Sequence, residues 1–201
     1  MTFFINKQGG VKFIVCGLGN PGAKYDGTRH NAGFSVIDLI SQQHGFGLDR
    51  LKHRSLTAVT TFGGEKTLFM KPQTFMNLSG DAVREAMAFY KLSAEQTLLI
   101  FDDIELDVGG VRIRTKGGAG THNGLRDIIS KTGTEMFPRI RLGVGDRPNR
   151  DYDLADWVLS KFSKSEQEKF GKAADIAAKA AAMITGGGIE QAMNTFNGKT
   201  L

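Results

Sequence analysis

The sequence predicts an α/β fold: a single domain built as a three-layer sandwich, with a mixed, mostly parallel, twisted sheet flanked by helices. Three observations predict it. Short β-branched and apolar runs alternate along the chain with stretches of helical spacing. The 201 residues are enough for one core, and with only 4 prolines there is no Pro-rich linker. The single cysteine, Cys16, excludes a disulfide-stapled scaffold, so stability must come from a packed core.

The first half of the chain predicts a strand, a helix, a hairpin and a second helix. Residues 11–16 are mostly apolar and β-branched and lead into glycines, which is typical of a buried strand. Residues 31–44 carry apolar side chains at helical spacing. Residues 56–62 and 66–71 flank a Gly-Gly pair, so they predict a hairpin that makes the sheet mixed. Helical spacing returns over residues 77–92.

The second half predicts three more strands and a helical tail. Residues 97–101 form a continuous apolar run, typical of a buried strand, while residues 111–115 and 139–144 alternate basic with apolar residues. A short helix is expected over residues 122–133.

The tail after Asp153 is Ala-rich and helical, and glycines at 186–188 interrupt it before a last helix. We therefore expect one domain over residues 1–201, with a flexible start over residues 1–10 and a hinge at 186–188.

Charge is concentrated in one segment. The chain has 26 basic and 21 acidic residues, a formal net charge of +5. Residues 111–150 alone hold nine basic and three acidic residues, a net charge of +6. An ordinary solvated surface and a polyanion-binding surface both remain open, and the segregation of charge favours the second. No signal-peptide pattern or membrane-length apolar run is present, so we expect a cytoplasmic protein without a membrane partner.

A glycine motif raises the alternative of a dinucleotide-dependent oxidoreductase. Residues 17–22 satisfy G-x-G-x-x-G directly after a predicted strand. However, Pro21 lacks the backbone N–H that a pyrophosphate would need, and the next helical pattern starts only after Thr28. Asp38 lies within that helical pattern and not at the end of a second strand. The glycines therefore favour a structural turn.

A histidine and a carboxylate are candidates for acid–base chemistry. His30 lies where a helix begins, and the helix dipole there disfavours its cationic form and leaves it available as a base. Asp102 and Asp103 follow a buried strand, at the end where active sites of α/β folds open. A carboxylate beside a histidine fixes its tautomer and stabilises the imidazolium. The non-catalytic alternatives are a structural histidine and a solvated cluster of acidic residues. The spacing of the acidic residues does not fit a calcium-binding loop.

Three asparagines suggest a polar substrate pocket. Asn20, Asn77 and Asn123 carry carboxamides that can both donate to a substrate and accept from it without charge. For Asn77 and Asn123 the alternative is a helix cap. Ser79 and Cys16 are the obvious nucleophiles, but neither lies in a motif that would activate it.

In these residues the sequence closely resembles the bacterial-type peptidyl-tRNA hydrolase family. The matching segments follow in order along nearly the whole chain: GLGNPGAKYDGTRHNAGF (17–34), KPQTFMNLSG (71–80), the acid pair at 102–103, GGAGTHNGLRDI (117–128), RIRLGVG (139–145) and VLSKFSKSE (158–166). The resemblance implies an enzyme that hydrolyses the ester between peptide and tRNA during translation, as a monomer, with no metal, cofactor or covalent intermediate. Its rival is a non-catalytic RNA-binding module on the same fold.

The resemblance also implies catalytic roles. His30 is the general base that activates water, Asp102 supports it, and Asn20 positions the peptidyl end and the water. Asp103 is the fallback for Asp102, because this acid cluster is richer than in many relatives. Thr121 stands where a glycine is usual.

Other residues are implied to hold the substrate. The residues around the peptide and the ester are Tyr25, Phe75, Asn77 and Asn123. Arg114 and Arg141 correspond to a basic pair on the tRNA 5′-phosphate, a contact that suits the planar guanidinium fork. The basic segment 111–150 is accordingly the expected face for tRNA.

Overall fold

The computed structural model describes residues 10–198. The predicted flexible start therefore falls almost wholly outside the described residues. Within residues 10–198, none of the helices is both long and apolar enough to cross a membrane.

Residues 10–198 contain seven strands and six α-helices. The strands are β1 (Phe13–Gly17), β2 (Arg50–Lys52), β3 (Ser55–Phe62), β4 (Glu65–Pro72), β5 (Thr97–Asp103), β6 (Val111–Arg114) and β7 (Arg139–Gly143). The helices are α1 (Ala32–His44), α2 (Ser79–Tyr90), α3 (Asn123–Thr132), α4 (Leu154–Leu159), α5 (Lys164–Thr185) and α6 (Ile189–Phe196).

The strands form one sheet in the order β2-β3-β4-β1-β5-β7-β6. The central pairs β4–β1, β1–β5 and β5–β7 are parallel, and the outer pairs β2–β3, β3–β4 and β6–β7 are antiparallel. Most strands thus run in the same direction, and the prediction of a mixed, mostly parallel sheet is confirmed.

Helices cover both faces of the sheet. Because side chains alternate along a strand, Ile14 and Val15 of β1 enter different cores. Val15 packs in the core that contains α1 and α5, and Ile14 in the core that contains α2 and α3. Burial on both faces explains why β1 and β5 are apolar at consecutive positions. The predicted three-layer sandwich is confirmed.

Two glycines bring the start of α1 against the sheet. A Cβ on Gly33 would lie 2.2 Å from the Ile100 carbonyl oxygen and 2.4 Å from the Leu18 nitrogen. A Cβ on Gly17 would lie 2.3 Å from the Gly33 carbonyl oxygen. The glycine motif after β1 thus serves helix–strand packing. This close approach places His30, just before α1, at the end of β5.

We expect Gly33→Ala to destabilise the fold. The added methyl would meet backbone atoms that no rotamer change can move, so the free energy of unfolding should fall by about 3 kcal/mol. Urea denaturation measures it. Gly171→Ala is the matched control, because Gly171 lies in α5 with open space around its Cβ position. Equal stability of Gly33→Ala and wild type would contradict the packing argument.

Candidate active site

A cleft of about 1060 Å³ opens where the carboxyl ends of the central strands meet the loops that follow them. Eight of the nine residues predicted for the site line it: Asn20, His30, Phe75, Asn77, Asp102, Arg114, Asn123 and Arg141. Tyr25 does not line the cleft. It lies in a 3₁₀ turn, with the Lys24 ammonium 4.7 Å from the centre of its ring.

His30 and Asp102 meet, as the resemblance to the family implied. The Nδ1 atom of His30 lies 2.9 Å from each carboxylate oxygen of Asp102. Because an ionised carboxylate only accepts hydrogen bonds, Nδ1 carries the proton and donates it to Asp102. The other ring nitrogen, Nε2, is then free to accept a proton. His30 lines the cleft, so this nitrogen is available to a bound water.

His122 is a site residue that the sequence analysis did not identify. Its Nδ1 accepts a hydrogen bond of 3.2 Å from the Leu125 backbone N–H and so caps α3. The proton of His122 therefore resides on Nε2, which donates to Asp102 Oδ1 over 3.1 Å. The alternative of a helix cap for Asn123 does not hold, since His122 is the N-cap of α3. Asp102 thus receives two imidazole N–H donors.

The electrostatics favour an ionised Asp102. Burial by itself would raise the pKa of this carboxyl, but His30 and His122 outweigh burial and hold the pKa far below its usual value. Burial would likewise lower the pKa of His30, yet the charge of Asp102 and its hydrogen bond raise that pKa above the ordinary value. The pKa of His30 therefore shifts in the direction opposite to the one expected from the helix N-terminus, because of the Asp102 carboxylate.

Asn20 is held in a single orientation. The Asn31 side chain brackets its backbone, accepting from the Asn20 N–H over 2.8 Å and donating to the Asn20 carbonyl over 3.0 Å. The Asn20 side-chain oxygen accepts from the Met76 backbone N–H over 2.8 Å. Since that N–H can only donate, the carboxamide NH₂ of Asn20 must point the other way. Asn20 is therefore a hydrogen-bond donor in the cleft.

The remaining substrate residues are exposed at the cleft. Phe75, with 54% of its surface exposed, and Asn77 belong to the segment between β4 and α2. Asn123 is the first residue of α3, and its side-chain oxygen accepts from Arg126 over 3.0 Å. The carboxamide NH₂ groups of Asn77 and Asn123 are not hydrogen-bonded to any side chain or backbone group of residues 10–198.

The two predicted phosphate ligands differ in their surroundings. Arg114 is exposed and forms no ion pair with any residue from 10 to 198. Arg141 is half-buried, and it binds Asp103 closely and Glu105 at 2.7 Å. Asp103 thus pairs with Arg141 and not with His30. The alternative prediction, that Asp103 supports His30 in place of Asp102, is therefore wrong.

The alternative nucleophiles lie away from the cleft. Cys16 is fully buried in β1, and burial raises the pKa of its thiol. Ser79 is also buried, and its hydroxyl donates to the Met76 carbonyl. Neither side chain lines the cleft.

One group of described residues could hold a metal ion. Ligand atoms of His30, Asp102 and His122 lie within 4.8 Å of one another. The hydrogen bonds of both imidazoles to Asp102 account for the same atoms without a metal. Chemically, the arrangement places a histidine with a fixed tautomer beside several amide donors, a combination that can support hydrolysis through an oxyanion.

Comparisons with known proteins show which family this chain resembles. The sequence model for the family described as peptidyl-tRNA hydrolase matches residues 14–201. The peptidyl-tRNA hydrolase of Lachnospira eligens is 48% identical over 186 residues, which cover 92% of this chain and 100% of that protein. The relative of the same name from Alkaliphilus metalliredigens is also 48% identical, with the same coverage.

A solved structure shares the fold. The crystal structure of peptidyl-tRNA hydrolase from Acinetobacter baumannii superimposes with a TM-score of 0.88 at 33% sequence identity. The superposition covers 94% of this chain and 95% of that one. On these sequence and structural matches, this chain belongs to the peptidyl-tRNA hydrolase family.

Proposed function

We propose that this protein hydrolyses the ester bond between peptide and tRNA in peptidyl-tRNA, with His30 as the general base. The observation that carries the proposal is the His30–Asp102 pair, which leaves Nε2 of a cleft-lining histidine free to accept a proton. The family's catalytic activity, and not the non-catalytic RNA-binding alternative, is the function this chain shares with its relatives.

The reaction follows from the geometry. His30 Nε2 takes a proton from water as the water oxygen attacks the acyl carbon of the ester. Asp102 stabilises the resulting imidazolium. The tetrahedral intermediate then collapses, the bond from the acyl carbon to the ribose oxygen breaks, and His30 returns the proton to that oxygen. The products are a peptide with a free carboxyl group and an intact tRNA.

Carboxamides stabilise the negative charge that develops. The Asn20 NH₂ is oriented into the cleft by the Met76 N–H, so it needs no reorganisation to donate to an oxyanion. We infer similar donor roles for Asn77 and Asn123, which position the ester carbonyl and the peptide backbone. Each such preorganised donor is worth on the order of 3 kcal/mol.

We infer that the two parts of the substrate bind at different walls of the cleft. The wall at β6 and β7 carries Arg114, Lys116 and Arg141, which suit tRNA phosphates. The wall at α4 presents Leu154 and Val158, which suit peptide side chains. We propose that the chain acts as a single-domain monomer, because the cleft is built from a single sheet and its own loops. We also propose that it acts in the cytoplasm, because its proposed substrate arises during translation.

Release of labelled peptide from peptidyl-tRNA tests this function. The wild-type protein should release peptide and intact tRNA in multiple turnovers. Binding of peptidyl-tRNA without release of peptide would show an RNA-binding module and refute the proposal.

The phosphate contacts predict a change in salt dependence. Arg114→Ala should weaken tRNA binding and reduce the slope of log affinity against log salt by about 1, since one phosphate contact is lost. Arg141→Ala should change the slope less, because Asp103 and Glu105 already offset the charge of Arg141.

Binding measured over a salt series distinguishes these outcomes. Arg50→Ala serves as the control, because Arg50 is an exposed arginine on β2, at the opposite edge of the sheet from β6. An unchanged slope in both cleft variants would reject the phosphate contacts.

A further inference from the structure

Arg29, the residue before His30, is buried although it is charged. Only 3% of its surface is exposed, and each side-chain nitrogen has a partner. Nε donates to the Ser160 hydroxyl over 3.1 Å, and one terminal nitrogen donates to the Val144 carbonyl over 2.9 Å. The other donates to both carboxylate oxygens of Glu166, at 2.9 and 3.0 Å. A buried guanidinium with this set of partners joins several segments rigidly.

Aromatic rings also contact the guanidinium. Its central carbon lies 3.9 Å from the ring centre of Trp157 and 4.7 Å from that of Phe162. In addition, the Arg29 backbone N–H donates to the Ser160 carbonyl over 3.0 Å. Arg29 therefore connects the turn that carries His30 to α4 and to the start of α5.

Helix α4 depends on these contacts for its position. It has six residues and no buried side chain, and so short a helix is not stable by itself. Among its side chains, Trp157 provides the hydrogen bond to the body of the protein, from Nε1 to the Gly145 carbonyl over 2.7 Å. The other apolar side chains of α4 face the cleft: Leu154, Ala155, Val158 and Leu159.

We propose that Arg29 is a positioning residue, whose guanidinium fixes α4, the apolar wall of the cleft, to the turn that carries the general base. The inference rests on the proposed hydrolysis. Its consequence is that the Arg29–Trp157 contact sets how well the enzyme handles apolar peptides that reach α4. Lysine cannot replace Arg29, because an ammonium group lacks the planar fork that stacks on Trp157 while it binds Glu166.

Two substrates and four variants test the proposal. The substrates are acetylglycyl-tRNA, whose glycine offers no side chain to α4, and an acetylated tRNA with a longer apolar peptide. Trp157→Ala should lower kcat/KM about tenfold or more for the long peptide, the effect of one apolar pocket contact, but less than about threefold for acetylglycyl-tRNA. Trp157→Phe keeps a ring against Arg29 and should restore most of the activity on the long peptide.

Arg29→Lys should lower kcat/KM for both substrates, because it also loosens the turn with His30. The double variant Arg29→Lys with Trp157→Ala should lose less than the product of the two single losses, since both changes remove the Arg29–Trp157 contact. If Arg29→Lys does not fold, the Trp157 pair still decides the question.

Equal losses for Trp157→Ala on both substrates, or losses that multiply in the double variant, would overturn the inference. Full activity of Trp157→Ala on the long peptide would do so as well. Failure of the wild-type protein to cleave either substrate would instead refute the proposed function.

Discussion

Asp102→Asn is expected to reduce kcat by about 10⁴-fold, an effect of the size found when a catalytic histidine is held in the wrong tautomer. Asp102 accepts hydrogen bonds from both His30 and His122. His122 keeps its proton on Nε2 because the Leu125 N–H donates to Nδ1. In the variant, His122 Nε2–H therefore donates to the side-chain oxygen of the new asparagine. The amide NH₂ then faces His30 and favours the tautomer with its proton on Nε2, which cannot act as a base.

The same variant should shift the pH dependence of the residual activity. Protonated His30 is inactive, and the Asp102 charge raises the pKa of His30 in the wild type. Removal of that charge lowers the pKa, so the fall in kcat/KM on the acid side should move to lower pH. An unchanged acid limb would contradict the electrostatic role of Asp102.

Asp103→Asn is the matched control. It changes the neighbouring carboxylate in the same way, but Asp103 pairs with Arg141. We therefore expect kcat at saturating substrate to stay within a few-fold of the wild-type value. A loss as large as that of Asp102→Asn would mean that the wrong carboxylate has been assigned.

His30→Ala is expected to lower kcat by about 10² to 10⁴-fold, the usual contribution of a general base. Binding of tRNA should persist, because the arginines at β6 and β7 remain. His44→Ala provides the control, since His44 is an exposed histidine at the other end of α1. Peptide release is measured for each variant beside tRNA affinity, which separates loss of chemistry from loss of binding.

The fold was largely predictable because its signals are strong and local. The short apolar runs of β1 and β5 are typical of strands buried on both faces, and the Gly-Gly pair indicates the hairpin of β3 and β4. β2 was missed. It has three exposed residues, two of them basic, and exists only because β3 offers it an edge to pair with. A short, charged edge strand lacks the alternation of apolar and polar residues by which strands are recognised in a sequence.

His30, Asp102 and Asn20 were predicted as one site through the resemblance to the family, since residue type alone left structural alternatives open. The structure brings all three to one cleft. The part that was missed depends on distant segments meeting. His122 contacts Asp102 only because the start of α3 lies next to the end of β5. The only indication of His122 in the sequence was its position beside Asn123. Likewise, Arg141 pairs with Asp103 because of the register between β5 and β7. Counting the charges of residues 111–150 gives no information about that register.

The most direct test of the central claim is the single-turnover rate of peptide release, measured from about pH 5 to about pH 9 for the wild type and for His30→Ala. For the wild type, we expect the rate to rise with pH, with a midpoint above the ordinary histidine pKa of about 6.5, because Asp102 stabilises the protonated ring. For His30→Ala, we expect a rate at least about 100-fold lower and without this rise. A near-wild-type rate in His30→Ala, or the same acid limb, would contradict a mechanism in which His30 activates the water.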